Sequence, residues 1–240
     1  MVVHHLQTVD STNTEARRRV DGGQQAPFWI IADEQTQGQG RLGRTWISKP
    51  GNLYATHAFP FPSPSAMASQ ISFVAALAVH EVATNFIIET PITLKWPNDC
   101  LIAGEKFSGI LAFLHSNTMI LGMGLNVAHE PEDLPYKATC LKTYAPSITV
   151  AQTFEVLALK LKKWLQIWDN GTGFHHVHRA WEARCDAIGR PISLDSNGTI
   201  LHGIFAGLAA DGGLLLNYNN TTTTHYAGDV RIIATETHPA

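Results

Sequence analysis

Three strand-like segments follow one another with very short connections, and this arrangement constrains the fold more than any other feature of the sequence. The segments are Asp99–Ile102, Lys106–His115 and Thr118–Val127, and only Ala103-Gly104-Glu105 and Ser116-Asn117 separate them. Apolar runs joined by such short turns are typical of successive hairpins, whose strands lie antiparallel. The sequence therefore predicts an antiparallel meander.

Further strands and helices surround this meander. Strands are predicted at Val2–Thr8, Phe28–Ala32, Leu53–Phe59 and Ile92–Trp96, and helices at Ser65–Phe86 and His175–Cys185. Capping boxes at Thr12-x-x-Glu15 and Thr149-x-x-Gln152 predict the starts of two more helices. Trp164 and Trp168 fall on the apolar stripe of the second of these, which predicts core residues rather than a ligand platform. This order of elements predicts an α+β fold with a mixed β-sheet packed against helices.

The texture of the chain changes after Gly189-Arg190-Pro191. Short strand-like runs and tight turns follow, with Asp211-Gly212-Gly213 between two apolar runs and Asn219–Thr224 as a polar turn. We therefore predict a large unit over residues 1–187 and a small β-barrel-like domain over residues 188–240.

Charge, cysteine content and hydropathy argue against several classes of protein. A net charge of −3 gives no electrostatic reason to expect nucleic acid, and Arg17-Arg18-Arg19 is predicted to be a solvated helix face. The 3 cysteines are far apart and in no metal-binding spacing, which predicts a reducing, cytoplasmic location. The N-terminus lacks the pattern of a signal peptide, and Ser72, His80 and Glu81 interrupt the longest apolar region, so no membrane span is predicted.

A stretch rich in glycine and arginine, Gly38-Gln39-Gly40-Arg41-Leu42-Gly43-Arg44-Thr45-Trp46, lies between two predicted strands. Its glycines allow a sharp turn that brings backbone N–H groups close to an anion, and guanidinium groups suit phosphate or carboxylate. The spacing fits neither the nucleotide phosphate loop nor the dinucleotide fingerprint. From this stretch alone, an anion site and a flexible basic surface loop both remain open.

Three further stretches place polar side chains at strand ends. Lys95-Trp96-Pro97-Asn98-Asp99 presents an amide and a carboxylate, although Pro-Asn-Asp is also an ordinary turn sequence. Lys106 begins the apolar strand of Gly104–Leu111, where it faces either a ligand or, as on many edge strands, water. The glycines of Gly122–Val127 permit close approach of another group. Asn126, at the end of this stretch, either contacts the edge of a nucleotide base or caps a turn.

Taken in order, these stretches resemble the biotin protein ligases, also called biotin–acetyl-CoA-carboxylase ligases. Members carry Ser-Thr-Asn near the start, then Gly-x-Gly-Arg-x-Gly-Arg-x-Trp, Lys-Trp-Pro-Asn-Asp, Lys-x-x-Gly-Ile-Leu and Gly-x-Gly-x-Asn. The chain has these motifs in the same order at Ser11–Asn13, Gly38–Trp46, Lys95–Asp99, Lys106–Leu111 and Gly122–Asn126. Gly189-Arg190-Pro191 and Gly212–Leu216 match the terminal domain of the family, so the resemblance covers nearly the whole chain.

The resemblance implies a class II aminoacyl-tRNA synthetase-like catalytic domain, as in biotin and lipoate ligases, over residues 1–187 and an SH3-like barrel over residues 188–240. It implies that the biotin carboxylate attacks the α-phosphate of ATP, and that a lysine of a biotin carboxyl carrier protein then displaces AMP. ATP with Mg²⁺ and biotin are the expected substrates, and no metal site built by the protein is expected. Ser11 comes too early for the DNA-binding domain that some relatives carry, so no nucleic-acid partner is expected. Pairing through a sheet edge, frequent in the family, leaves a homodimer open.

By the family pattern, the catalytic residues are Lys106, Arg41 and Asp99, with Asp99 acting either as a base toward the acceptor lysine or as a ligand of Mg²⁺. The expected biotin-binding residues are Ser11, Thr12, Asn13, Gln35, Gln39, Gly40, Arg41, Lys106, Gly109 and Ile110. The expected ATP- or adenylate-binding residues are Gly38, Arg41, Arg44, Trp46, Asn98, Lys106 and Asn126. Many members have arginine where this chain has Gln39, so its loop carries one positive charge fewer.

Two other functions fit part of this pattern. A lipoate ligase or lipoyl transferase shares the fold and the transfer to lysine, but its loops differ from the one found here. A non-catalytic biotin or nucleotide sensor would not require Arg41 and Lys106, which are both intact.

Overall fold

Seven strands form one mixed sheet in the first unit. The computed structural model describes residues 1–132, 134–196 and 198–233, and the strands are β1 (Val2–Val9), β2 (Phe28–Gln35), β3 (Leu53–Pro60), β4 (Ile92–Lys95), β5 (Asp99–Ile102), β6 (Glu105–His115) and β7 (Thr118–Leu125). Their order across the sheet is β1-β2-β3-β7-β6-β5-β4. β1 runs parallel to β2, and the other neighbouring pairs are antiparallel. The mixed sheet predicted from the sequence is confirmed.

The predicted meander is β5–β6–β7, and its turns account for its geometry. Ala103 and Gly104 have φ values of 51° and 80°, and Ser116 and Asn117 have values of 46° and 59°. Two consecutive residues in the left-handed region make the tight turn whose twist matches that of antiparallel strands. The pairing of β6 with β7 then brings the Lys106 and Gly122 motifs side by side.

In the described part of the chain, four α-helices accompany the sheet. They are α1 (Thr12–Asp21), α2 (Gln70–Phe86), α3 (Val150–Trp168) and α4 (Phe174–Glu182), with short 3₁₀ turns at Arg41–Gly43, Ser65–Met67, Leu141–Thr143 and Asp169–Gly171. The capping box predicted for α3 is confirmed, because Gln152 N donates to the Thr149 hydroxyl (3.2 Å) and Thr149 N donates to Gln152 Oε1 (3.1 Å). Trp164 and Trp168 of α3 are buried, which confirms them as core residues.

The capping box predicted at Thr12-x-x-Glu15 is wrong. The residue before α1 makes no side-chain capping bond, and the Thr12 hydroxyl donates instead to Gln35 Oε1 (3.0 Å). The Glu15 carboxylate pairs with Arg18 (2.8 Å) and Arg19 (2.7 Å), two members of the basic run. Both side chains of the expected box therefore have other partners, and the charged partners of Glu15 bind a carboxylate more strongly than a neutral backbone N–H does.

α2 contains the longest apolar run of the chain because it is the core helix. Its residues from Ile71 to Ala83 are mostly buried against α3, α4 and the sheet. Within the described residues, Ser65–Phe86 is the one helical stretch whose length and composition would allow it to cross a membrane. However, 67% of its most apolar 18-residue segment is buried inside the protein. Packing within the protein therefore accounts for its hydropathy.

The second unit is an antiparallel sheet of five strands. These are β8 (Pro191–Ser196), β9 (Thr199–Leu208), β10 (Leu214–Tyr218), β11 (Thr221–His225) and β12 (Asp229–Ile232), in the order β11-β10-β9-β8-β12. The edge strands β11 and β12 are not paired with each other in the described part of the chain, so closure into a barrel is not confirmed. The polar turn predicted at Asn219–Thr224 is wrong beyond Asn220, because the β-branched threonines that follow form β11.

The two units share one apolar core. Trp96 Nε1 of the first unit donates to the Gly212 carbonyl of the second (3.2 Å). Leu94 and Leu214 belong to the same cluster of buried side chains. The boundary at residues 187 and 188 stays a prediction.

One buried histidine, His80, and one half-buried histidine, His57, should make stability depend on pH. Burial lowers the pKa of His57 to about 4 and, with the charge of Arg184, lowers the pKa of His80 to about 4. The unfolded chain, with histidine pKa values of about 6.5, binds more protons between these limits. We expect the contribution of these two histidines to the free energy of unfolding to be constant well above pH 6.5 and to fall below it by up to about 1.4 kcal/mol per pH unit for each histidine.

Urea unfolding at a series of pH values would measure this slope. In a His57→Gln variant the contribution of one histidine should disappear, so the slope between pH 6 and 4.5 should be clearly smaller. An unchanged slope in both His57→Gln and His80→Gln would contradict the assignment.

Candidate active site

Three glycines on β6 and β7 form the floor of a cavity. A Cβ atom built on Gly124 would lie 2.5 Å from Trp46 Nε1, and one built on Gly109 would lie 2.8 Å from the same indole. A Cβ atom on Gly122 would lie 2.3 Å from Asn13 Oδ1. The missing side chains therefore make the space that Trp46 and Asn13 occupy.

Hydrogen bonds between backbone groups of the loop Gly38–Trp46 fold it back on itself, with Trp46 on this floor. Trp46 N donates to the Gly38 carbonyl (2.9 Å), and Gly40 N donates to the Arg44 carbonyl (2.7 Å). Between them Leu42 adopts a left-handed conformation with φ of 56°. The indole N–H of Trp46 is buried and has no hydrogen-bond partner among the residues described, which leaves a donor available at the cavity.

Arg41 is oriented by Asn98. Arg41 Nη1 donates to Asn98 Oδ1 (3.1 Å), and Asn98 Nδ2 donates to the Ile110 carbonyl on β6 (2.7 Å). Burial brings the pKa of Arg41 below its ordinary value, and the nearby charges of Asp229 and Asp99 offset only part of this effect. Because a guanidinium does not lose its proton in proteins, Arg41 is a fixed positive charge at the cavity.

Lys106 is the second cation, and it is paired. Its Nζ lies 2.6 Å from Asp99 Oδ1, with 17% and 16% of the two side chains exposed. Nζ also lies 5.7 Å from the centroid of the Trp46 ring and 5.3 Å from that of Tyr136. An anionic ligand in this cavity would compete with Asp99 for the ammonium group.

A network of hydroxyl and amide groups lines another part of the same cavity. Gln35 Oε1 accepts hydrogen bonds from Thr12 N (2.8 Å) and Thr12 Oγ1 (3.0 Å), and Gln35 Nε2 donates to Ser48 Oγ (2.9 Å). The Thr56 hydroxyl lies 2.8 Å from that of Thr12 and 2.6 Å from Asn13 Oδ1. Such a set of neutral donors and acceptors suits a neutral polar ring better than a charged group.

Arg44 connects the loop to the second unit. Its guanidinium forms an ion pair with Asp229 on β12, and Asp229 itself lines the cavity. Burial raises the pKa of Asp229, but the hydrogen bond and charge of Arg44, with Lys95 and Arg41, bring it below its ordinary value. The cavity therefore contains three cations, of which Lys106 and Arg44 are each matched by a carboxylate.

Most of the residues predicted from the sequence meet in this one cavity. Those that line it are Ser11, Thr12, Asn13, Gln35, Gln39, Gly40, Arg41, Arg44, Trp46, Asn98, Asp99, Lys106, Gly109 and Ile110. Gly38 does not line the cavity and instead packs against the other end of its own loop, where a Cβ atom would be 2.3 Å from the Trp46 carbonyl. The amide of Asn126 is buried and donates to the Thr139 carbonyl (3.1 Å), and Asn126 lines a smaller adjoining cavity instead.

Comparison with known proteins agrees with this geometry. The profile of the biotin/lipoate A/B protein ligase family matches residues 6–127, and that of the biotin protein ligase C-terminal domain matches residues 187–232. The chain is 31% identical to the biotin–[acetyl-CoA-carboxylase] ligase of Paracoccus denitrificans over 224 residues, which are 88% of this chain and 92% of that protein. The chain belongs to the biotin protein ligase family.

Other relatives of this ligase family match along nearly the whole chain. The biotin–[acetyl-CoA-carboxylase] ligase of Mycobacterium tuberculosis is 30% identical, covering 92% of this chain and 85% of its own. A biotin protein ligase from Aquifex aeolicus, solved in complex with biotin and ATP, superposes with a TM-score of 0.82 at 25% identity, covering 98% of this chain and 99% of its own.

Several residues of this family member line the cavity without having been predicted as site residues. They are Thr45, Tyr54, Leu111, Gly122, Met123, Gly124, Tyr136 and Asp229. The two glycines were visible as part of a motif. Tyr136 lies in a stretch without periodicity, and Asp229 lies in the second unit, so no local pattern pointed to either. Among the described residues, no group of three or more histidine, cysteine, aspartate or glutamate side chains could hold a metal ion.

Proposed function

We propose that this chain is a biotin–[biotin carboxyl carrier protein] ligase that forms biotinyl-5′-AMP from biotin and ATP and transfers biotin to a lysine of the carrier. The observation that carries the proposal is the meeting of Arg41 and Lys106 with the neutral Thr12–Gln35 network in one glycine-floored cavity. Two anions must approach each other in the first step, and biotin has a neutral polar ring. The cavity offers groups for both.

In the first step, a carboxylate oxygen of biotin attacks the α-phosphorus of ATP and pyrophosphate leaves. Negative charge accumulates between the two reacting groups, so fixed cations there lower the barrier. Arg41 and Lys106 are suited to this role, because Asn98 orients the first and the second is only 17% exposed. As the substrate anions bind, the Lys106 ammonium group must leave Asp99 and contact them instead.

Biotin would be recognised by neutral polar groups rather than by cations. The ureido ring carries N–H donors and a carbonyl acceptor, and Ser11, Thr12 and Gln35 provide hydroxyl, amide and backbone partners at the cavity. The strand backbone at Gly109 and Ile110 would lie along the ligand. Gln39 lines the cavity as a neutral side chain, which leaves Arg41 and Arg44 as the loop's cations.

The nucleotide would lie against the glycine–arginine loop. Trp46 would cover the adenylate with its ring, and its indole N–H, which has no partner within the described ranges, is a donor for it. Arg44 would meet the phosphates, and Asn98 and Asn126 lie nearby. Mg²⁺ brought with ATP would offset phosphate charge, and the carboxylate of Asp99 is the kind of oxygen ligand that it prefers.

In the second step, the amine of the carrier lysine attacks the acyl carbon, AMP leaves with the bridging oxygen, and the amine loses a proton. Asp99 is the candidate proton acceptor, because its carboxylate becomes free once Lys106 turns to the substrate anions. The same freed carboxylate could instead meet Mg²⁺. Exclusion of water by Trp46 would protect the adenylate from hydrolysis until the lysine arrives.

Removal of the Asp229 charge should strengthen ATP binding. Asp229 competes with phosphate for Arg44, and both side chains are well exposed, 35% and 58%, so the ion pair is worth about 1 kcal/mol or less. We expect Asp229→Asn to lower the KM for ATP by up to about fivefold without raising the KM for biotin. Asp195→Asn is the matched control, because Asp195 pairs with Asp229 across β8 and β12 but does not line the cavity. An equal change in both variants would point to general electrostatics instead.

Exchange of labelled pyrophosphate into ATP tests the proposed function. Exchange should depend on biotin, and lipoate should not replace it. Exchange with lipoate alone would favour a lipoate ligase, which the family profile also covers. Binding of biotin without exchange would favour a sensor. The proposal includes a cytoplasmic location, a carboxylase carrier as partner and no nucleic-acid partner, and it leaves a homodimer open.

A further inference from the structure

The ammonium group of Lys106 lies between two aromatic rings as well as beside a carboxylate. Nζ is 5.3 Å from the centroid of Tyr136 and 5.7 Å from that of Trp46, while Asp99 Oδ1 is 2.6 Å away. Both ring distances are within the range of a cation–π attraction. Trp46 belongs to the loop motif, but Tyr136 lies in the aperiodic segment after β7 and has no role in the chemistry described above.

The backbone after Tyr136 is fixed to the same lysine. Lys106 N donates to the Lys137 carbonyl (3.0 Å), and Thr139 N donates to the Lys106 carbonyl (3.0 Å). Ala138 thereby pairs with Lys106 in parallel orientation. This pairing holds the Tyr136 ring at the mouth of the main cavity and of the smaller adjoining one, with 42% of the residue exposed. Tyr136 is therefore not a core residue whose loss would unfold the protein.

A ring face and a carboxylate hold a cation in different ways. Asp99 neutralises the ammonium group, so its attraction opposes the substrate anions. A ring face carries no net charge, so it orients the ammonium group and leaves the full positive charge available. Lysine side chains are flexible and lose considerable rotamer freedom when they are fixed. A group that fixes Lys106 after it leaves Asp99 would favour the reactive arrangement.

We propose that Tyr136 is a positioning residue that holds the Lys106 ammonium group, through its ring face, while Lys106 stabilises the charge of adenylate formation. This inference rests on the proposed function. It assigns a role to the ring and none to the phenolic hydroxyl. Tyr136→Phe should therefore keep nearly all of the activity.

A series of fluorinated rings tests the proposal. Each fluorine withdraws electron density from the ring face and weakens cation–π attraction with little change of shape. Phe, 4-fluoro-, 3,5-difluoro- and 3,4,5-trifluorophenylalanine at position 136 should lower the kcat of biotin-dependent pyrophosphate exchange stepwise. The last member should lose about fivefold relative to Phe, and KM values should change by less than about twofold.

The controls separate the possible failures. Trifluorophenylalanine in place of Tyr218, an exposed tyrosine on β10 outside this cavity, should leave kcat unchanged. A flat series at position 136, with activity lost only in Tyr136→Leu, would show that the ring merely fills space and would overturn the proposal. If the wild-type protein shows no biotin-dependent exchange, the proposed function fails, and the role of Tyr136 fails with it.

A second measurement does not depend on turnover. In protein with isotope-labelled lysine, the ε-methylene protons of Lys106 should resonate upfield because two rings lie close to them. Replacement of Tyr136 by leucine should move them downfield, and Lys106→Arg would identify the signal. An unchanged position in Tyr136→Leu would contradict the contact on which the proposal depends.

Discussion

Biotin-dependent pyrophosphate exchange is expected to fall by about 10²- to 10³-fold when Lys106 is replaced with alanine. Lys106 faces the cavity from the start of β6 and is, with Arg41, proposed to stabilise the charge that accumulates between the carboxylate and the α-phosphate. Its ammonium group is mostly shielded from water, so its charge acts through a medium less polar than bulk solvent. Loss of adenylation, rather than of substrate affinity, should be the main effect.

Lys137→Ala is the matched control for this prediction. Lys137 is exposed, accepts the hydrogen bond from Lys106 N with its backbone carbonyl, which alanine retains, and does not line the cavity. It should keep normal exchange. Near-normal exchange in Lys106→Ala would contradict the role assigned to that residue. A matching loss of unfolding temperature in Lys106→Ala would attribute the effect to folding instead.

Gly124→Val is expected to lower the kcat for adenylation by about 10²-fold, because displacement of a positioned group by about 1 Å can cost that much. Even the Cβ atom at this position would lie 2.5 Å from Trp46 Nε1, so the indole must leave the cavity floor. Valine is otherwise well suited to a strand, and Trp46 is only partly buried on a loop. The unfolding temperature should therefore change by no more than about 4 °C.

A double-mutant cycle separates displacement of Trp46 from other damage. If valine acts through Trp46, then Trp46→Ala together with Gly124→Val should be little worse than the more harmful single variant. Losses that multiply would show that valine also blocks the space for the ligand. Wild-type kcat in Gly124→Val would contradict the packing of the indole on β7.

The local parts of the fold were predictable because short-range rules determine them. Ser116-Asn117 and Ala103-Gly104 form two-residue turns that join antiparallel strands, and Thr149 caps α3 through a neighbour three residues away. Pairing of β6 with β7 then brings two of the sequence motifs together. The same rule failed at Thr12, because Gln35, 23 residues further along the chain, accepts its hydroxyl hydrogen bond.

The remaining parts of the site depend on contacts between distant segments. Asp229 reaches the cavity because the second unit packs beside the first, and a contact over 185 residues leaves no periodic signal. Tyr136 is held by backbone pairing of an aperiodic segment with β6. The order β1-β2-β3-β7-β6-β5-β4 likewise follows from long-range pairing that local patterns do not encode.

We propose that this cavity joins biotin to a carrier lysine at the expense of ATP. The most direct test is the intact mass of a purified biotin carboxyl carrier domain after incubation with this chain, biotin, ATP and Mg²⁺. We expect the carrier domain to gain one biotinyl group at its acceptor lysine, and this gain should require ATP and be lost in Lys106→Ala. No gain in mass, or a gain with lipoate in place of biotin, would contradict it.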